Sequence, residues 1–212
     1  MISPENSQTI LGDYLTLFAR TEVFIYVFME IVTKIVIIQR VLFGKARSFD
    51  YLIFILVFGG FSIFGTLVGT PINSGGIINI RDLSPMIAGL AAGPVVGLGV
   101  GLIGGIHRFL LGGVTALACS LSTVLAGLIG GFVYLLNGKK LLNIIPAILF
   151  AICLELFNAA LTLTISRPYS DALEIVLIAS PGMIVANSLG LAICIIVIRN
   201  TKETSFHEFQ NR

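Results

Sequence analysis

Six long apolar runs, separated only by short turn signals, leave this chain few ways to fold. Windows of about 19 residues place them near 14–39, 50–70, 83–105, 114–136, 142–165 and 173–198. A hydrocarbon core needs roughly 20 apolar residues per helical crossing, so five or six crossings nearly exhaust a chain of 212 residues. Composition agrees: 11% of residues are charged and 56% hydrophobic, against about 25% charged in a soluble domain. The mean hydropathy is +1.01. The expected fold is an all-α integral membrane protein, a bundle of about six transmembrane helices with a Gly-rich third helix. The expected divisions are a polar N-terminus over 1–13, a transmembrane domain over 14–199 and a cytoplasmic tail or start of a linker over 200–212.

The formal charge of +2, spread over scattered basic residues, offers no continuous patch for tracking phosphates, which excludes nucleic-acid binding. Cys119, Cys153 and Cys194 each lie in an apolar stretch, without the spacing of a metal site, and no cofactor is expected. Met1 to Ile10 carry no Lys or Arg, so they lack the basic start of a cleaved signal peptide. The connections Gly44–Ser48, Pro71–Gly76, Gly112-Gly113, Asn137-Gly138 and Arg167-Pro168 are too short for a domain outside the membrane. The first helix is interrupted by Arg20, Glu22, Glu30 and Lys34, and the last two can pair at i,i+4. Orientation is in conflict. Lys139, Lys140, Arg199 and Lys202 favour a cytoplasmic fourth loop and C-terminus, yet six crossings put Arg40, Lys45 and Arg47 outside. A short or re-entrant segment resolves this; the working expectation is six crossings with both ends cytoplasmic.

Gly89, Gly93, Gly97, Gly101 and Gly105 recur every fourth residue along the expected third helix, with Pro94 beside the second. The row reads first as a groove for close packing of a neighbouring helix, and second as a loosened helix able to shift when something binds. Charged residues within the bundle need partners, because each costs about 2.5–3.5 kcal/mol at the bilayer centre on the insertion scale. Arg81 and Asp82 stand at the start of this helix, where Asp82 is also a candidate cap for orphan amides. Arg108, preceded by His107, ends it, where an arginine can also snorkel to the interface.

Thr115, Cys119, Ser122 and Ala126 share one face of the fourth helix; Glu155, Asn158 and Thr162 share one of the fifth; Asn187-Ser188 follow Pro181-Gly182 in the sixth. Interhelical hydrogen bonding accounts for the neutral groups, but less easily for two arginines and a glutamate. Two guanidinium groups facing hydroxyl and thiol groups suit a small carboxylate or phosphate in a poorly hydrated pocket, since the planar fork holds two oxygens at once. The candidate ligand-binding residues are Arg81, Arg108, Cys119 and Ser122, supported by Asn79, Asp82, His107, Thr115, Glu155 and Asn187.

Asn79-Ile80-Arg81-Asp82-Leu83-Ser84-Pro85, Gly93-Pro94, Gly97, Gly101, Gly104-Gly105-Ile106-His107-Arg108, Gly112-Gly113, Thr115-Ala116 and Cys119-Ser120-Leu121-Ser122-Thr123 together resemble the LytS-type five-transmembrane receptor region of bacterial sensors. The likeness runs from about Leu52 to Arg199, includes Pro181 and Ala186-Asn187-Ser188-Leu189-Gly190, and is densest from Asn79 to Gly131. The resemblance implies a membrane region that perceives a stimulus, pyruvate in some members, and controls a cytoplasmic histidine kinase or other output module. By motif it carries the family's binding arginines to Arg81 and Arg108 and its cysteine and serine to Cys119 and Ser122. After Arg199 come only Asn200–Arg212, where a full-length member continues into output modules. His207 lacks the surroundings of a phosphoacceptor. The expectation is an isolated sensor region, or a standalone member acting through a partner protein; a homodimer is allowed.

The expected function is therefore a multi-pass sensory module of a two-component-type system in the cell membrane, without enzymatic activity of its own. The alternative is the substrate-binding subunit of a metabolite or vitamin uptake system. Such subunits present small residues on the first helix, and Thr21–Ile38 holds neither Ala nor Gly. An intramembrane enzyme built on His107, Cys119 and Glu155 lacks an established motif such as HExxH.

Overall fold

The computed structural model describes residues 21–72 and 76–210, with side chains as far as 204. The polar start 1–13, the first residues of the first apolar run, Arg20 and the His207 side chain lie outside that description. The chain is an all-α membrane protein. In order it has α1 (21–32), α2 (Val36–Leu42), α3 (Ser48–Leu67), β1 (Thr70–Pro71), β2 (Ile77–Ile78), α4 (Leu83–Ala92), α5 (Pro94–Leu110), α6 (Ala116–Leu136), α7 (Ile144–Ile165) and α8 (Tyr169–Gln210). Among the described residues α3, α6, α7 and α8 are long and apolar enough to cross a bilayer, and α4 and α5 are shorter apolar helices. The two strands form only a short antiparallel hairpin, with Thr70 opposite Ile78.

The expected first helix breaks at Thr33–Ile35, where the Thr33 hydroxyl bonds back to the Met29 carbonyl at 2.7 Å and the turn tightens to i,i+3 bonds. The Glu30–Lys34 pair forms at 3.4 Å. α1 is fastened to α3 by phenylalanines, Phe24 on Phe64 with ring centroids 4.0 Å apart and Phe28 on Phe61 at 4.1 Å.

The expected third helix is two helices. Gly93 has φ +93° and ψ 179°, and Pro94, which has no N–H to donate, starts α5 at its first position. The chain folds back there, so the glycine row is not one groove along one rod. Gly89 of α4 and Gly97 of α5 both press on the Gly127 backbone of α6, and a Cβ built on Gly97 would stand 2.8 Å from the Gly89 Cα. Farther along α5, Gly101 and Gly105 lie against the backbone of Thr123 and Ser120. Without side chains at these crossings, backbone meets backbone, the closest packing available in lipid.

This fold-back also resolves the conflict over basic residues. Leu42, Ala91, Tyr134, Lys139, Leu141, Ile198 and Lys202 surround one small cavity, so the ends of α2, α4, α6 and the membrane part of α8 meet at the same end of the bundle. Arg199 bonds the Leu142 carbonyl at 3.2 Å and also the Asn143 side chain. Arg40 reaches Asp50 at the start of α3 at 3.9 Å. With α4 and α5 as a returning pair, Arg40, Lys45 and Arg47 stand at the same end as Lys139, Lys140, Arg199 and Lys202. At the opposite end lie the hairpin and the turn at Gly112 and Gly113, with φ +70° and +91°. The helix expected over 173–198 is longer on both sides, and α8 runs unbroken through Pro181 and past Arg199 to Gln210.

Candidate functional site

A straight helix would hold Arg81 and Arg108 about 40 Å apart, at 1.5 Å per residue. The turn at Gly93 returns α5 beside α4, and the two guanidinium groups come within electrostatic reach of each other. Both are buried, Arg81 at 0% and Arg108 at 2% exposure.

Arg81 is held from three sides. Its backbone N–H donates to the Asn79 side chain at 3.1 Å, and its carbonyl accepts from Ser62 of α3 at 3.0 Å. Its Nε donates to Thr123 of α6 at 2.7 Å and to Asp82 at 3.2 Å. Its Nη1 and Nη2 atoms have no hydrogen-bond partner. Asp82 does not cap α4 as expected, and its side chain makes no bond to the first-turn amides. The carboxylate is drawn away instead by the Thr123 hydroxyl at 2.6 Å, Arg81, and the Asn158 amide of α7 at 3.5 Å. A buried carboxylate gains more from a guanidinium and a hydroxyl than from helix amides that bond elsewhere.

Arg108 does not snorkel. Its guanidinium turns inward and donates to the Gly112 carbonyl at 2.7 Å and the Thr115 hydroxyl at 3.0 Å, with Cys119 in electrostatic reach. Arg108, Thr115 and Cys119 border a cavity that continues along Asn158 and Thr162 of α7 and Ile175, Ala179 and Met183 of α8. Measured as room for the centre of a water molecule it is about 20 Å³, space for one or two waters.

The other expected residues are distributed around this core. Glu155 is buried, with Asp82, Arg81 and Asn158 in reach, and its Oε1 is unpartnered. Asn187 of α8 donates to the Met183 carbonyl at 3.0 Å and to the Asn79 carbonyl at 3.4 Å, tying α8 to the segment that carries Arg81. His107 is partly buried and its Nδ1 has no partner. Ser122 is buried but does not border the cavity. Thr123, next to it, was missed as a site residue: its hydroxyl joins Arg81 to Asp82 and also contacts the Cys119 carbonyl at 2.8 Å. Its position four residues after Cys119 was the available signal.

Known proteins resemble the chain across this core. The family model described as 5TMR of 5TMR-LYT matches residues 35–201. The sensor histidine kinase BtsS of Escherichia coli (strain K12) is 37% identical over 143 residues, which is 65% of this chain and 25% of that protein. The sensor protein LytS of Bacillus cereus is 33% identical over 177 residues, 76% of this chain and 30% of LytS. LytS of Bacillus subtilis is 35% identical over 128 residues, 59% and 22% of the respective chains. The chain thus spans roughly a quarter of the length of the curated relatives it matches. No solved structure matches it.

Proposed function

Because this chain belongs to the 5TMR of 5TMR-LYT family, we propose that it is the membrane-embedded sensory module of a two-component-type signalling system, binding a small pyruvate-like carboxylate among its helices. Arg81 and Arg108 hold the carboxylate, Cys119 and Ser122 contribute contacts, and Asn79, Asp82, His107, Thr115, Glu155 and Asn187 support them. One observation carries the reading: the Arg81 fork is buried with both Nη atoms unpartnered, in electrostatic reach of Cys119, which together with a second buried arginine, Arg108, borders a cavity that Arg81 itself does not line. Buried guanidinium groups are ordinarily paired, and a carboxylate is the planar two-oxygen partner that matches the fork.

The cavity also supports sensing over simple storage. At the size of one or two waters it does not hold a three-carbon acid as it stands, so binding requires its lining, from α5 to α8, to rearrange. The liganded and unliganded bundles then differ in energy, as a receptor requires. α8 is the element that can carry this outward: Ile175, Ala179 and Met183 border the cavity, and the same helix continues to Gln210. Its 42 residues extend about 63 Å, well beyond a hydrocarbon core of about 30 Å. With basic residues gathered at the end where α8 leaves the bundle, that end is cytoplasmic, facing a histidine kinase or other output module.

The test is a thermal-unfolding series on the purified chain in detergent with short carboxylates, pyruvate included. One carboxylate raises the midpoint of the wild type, by about 2.7 kcal/mol of stability at a hundredfold excess over Kd. Arg108→Ala, folded on its own, loses that shift. Unchanged stabilisation in Arg108→Ala, or no response of the wild type to any carboxylate, overturns the proposal.

A further inference from the structure

Where α8 leaves the bundle, positive charge gathers around the second cavity with no acid to meet it. Lys139, from the turn after α6, and Lys202 of α8 line that cavity together with Tyr134 and the apolar Leu42, Ala91 and Ile198. Measured as room for the centre of a water molecule it is about 20 Å³, enough for one or two oxygen-sized groups.

The fold sets both lysines at this place. Gly138 and Lys139 are consecutive left-handed residues, with φ +67° and +59°, and Lys139 is the one non-glycine with positive φ among the described residues. Its N–H donates to the Tyr134 carbonyl at 2.9 Å, and the Asn137 side chain donates to the Lys140 carbonyl at 2.8 Å, which fastens the turn. Lys202 follows Ile198 by one turn of α8 and is partly buried. Neither lysine forms an ion pair among the described residues. Arg199, in electrostatic reach of Lys202, adds to the positive charge. The carboxylates at this end of the bundle are engaged or turned away. Asp50 is held by Arg40 at 3.9 Å and by the Arg47 N–H at 2.9 Å. Glu203 is exposed and stands about 100° around α8 from Lys202.

Ammonium groups that share a partly desolvated cavity repel one another, and an anion between them relieves this. Two point charges lack the planar fork that matches a carboxylate; they suit a phosphate, whose oxygens point in several directions. We propose that this cavity is a phosphate-binding site separate from the arginine cluster. One phosphate oxygen enters between Lys139 and Lys202, and the others stay at the mouth beside the exposed Lys139. The phosphate belongs to the headgroup of an anionic phospholipid or to a soluble phosphate compound, since basic cavities at the membrane end of a helix bundle take either. Bound there, it ties the turn after α6 to α8 at the point where α8 leaves the bundle.

Thermal unfolding of the full chain in detergent tests this with two probes at constant ionic strength. Phosphatidylglycerol is added to the micelles, with phosphatidylcholine as its zwitterionic control, and inorganic phosphate is compared with chloride. At a hundredfold excess over Kd, at least one probe raises the wild-type midpoint above its control by about 5–10 °C. A rise with phosphatidylglycerol alone makes the occupant a lipid headgroup; a rise with inorganic phosphate makes it a soluble phosphate. The double variant Lys139→Gln/Lys202→Gln loses the rise, while Lys140→Gln, outside the cavity, keeps it. Should the double variant not fold, Lys139→Gln alone decides, with half-saturation at least about tenfold weaker. No rise with either probe, the same response in the variants that remove Lys139, or an equal loss in Lys140→Gln overturns the inference. The carboxylate reading, which rests on other residues, stands or falls separately.

Discussion

Replacing Thr123 by valine keeps the shape of the side chain and removes the one hydroxyl that joins Arg81 to Asp82. Two bonds are lost, the 2.7 Å bond from Arg81 Nε and the 2.6 Å bond to Asp82 Oδ1. A hydrogen bond to a charged group contributes about 1.5–3 kcal/mol, whereas neutral interhelical bonds in a membrane average about 0.6 kcal/mol. Arg81 and Asp82 keep their direct contact at 3.2 Å, so part of each loss is recovered. The two bonds sum to about 3–6 kcal/mol, and with part recovered the expected net cost is about 2–3 kcal/mol, at or just below the bottom of that range. At about 2–4 °C per kcal/mol for a chain of this size, Thr123→Val lowers the unfolding midpoint by about 5–10 °C. Thr123→Ser retains the hydroxyl and loses a methyl group, about 1 kcal/mol, and falls between the two. Circular dichroism followed through heating in one detergent reads all three proteins. A Thr123→Val midpoint within about 1 °C of the wild type, or a Thr123→Ser loss as large as that of valine, would refute the bridge.

Gly97→Ala puts a methyl group into the Gly127 carbonyl and within 2.8 Å of the Gly89 Cα, where only backbone can yield, and it costs more than about 3 kcal/mol in thermal unfolding. Gly60→Ala, with nothing within 4 Å of the added carbon, stays within about 1 kcal/mol of the wild type or gains from helix propensity. A Lys139→Cys variant reacts with a membrane-impermeant maleimide from the cytoplasmic side of inside-out vesicles, above the background of the three native cysteines; labelling only from the opposite side reverses the proposed orientation.

How much was legible beforehand depends on the kind of signal. The ends of α6 and α7 were read within two residues, because Gly112-Gly113, Asn137-Gly138 and Arg167-Pro168 are local punctuation that needs no partner. The break at Gly93-Pro94 was hidden inside an apolar run long enough to cross alone. Periodicity marked Gly89 and Gly97 as one face of a helix; in the folded chain they face a shared glycine from two different helices. Asp82 has a good residue type and position for a cap, and Thr123, across the bundle, outcompetes that role. Ser122 and Thr123 differ by only about 100° around α6, and nothing local says which arc meets Arg81.

Length, hydropathy and the burial cost of charge determine, from the sequence alone, that this chain is a membrane bundle and that Arg81, Asp82, Arg108 and Glu155 need partners. Those are properties of residues and of the bilayer as a solvent, independent of which helix touches which. Which partners they find was decided by the tertiary structure. The fold-back at Gly93 brings two arginines 27 residues apart into one cluster, and packing of α6 and α7 selects Thr123 and Asn158 as the groups that hold Asp82. Charges and hydrogen bonds act over a few ångströms, and only the folded chain sets distances on that scale between residues so far apart in sequence.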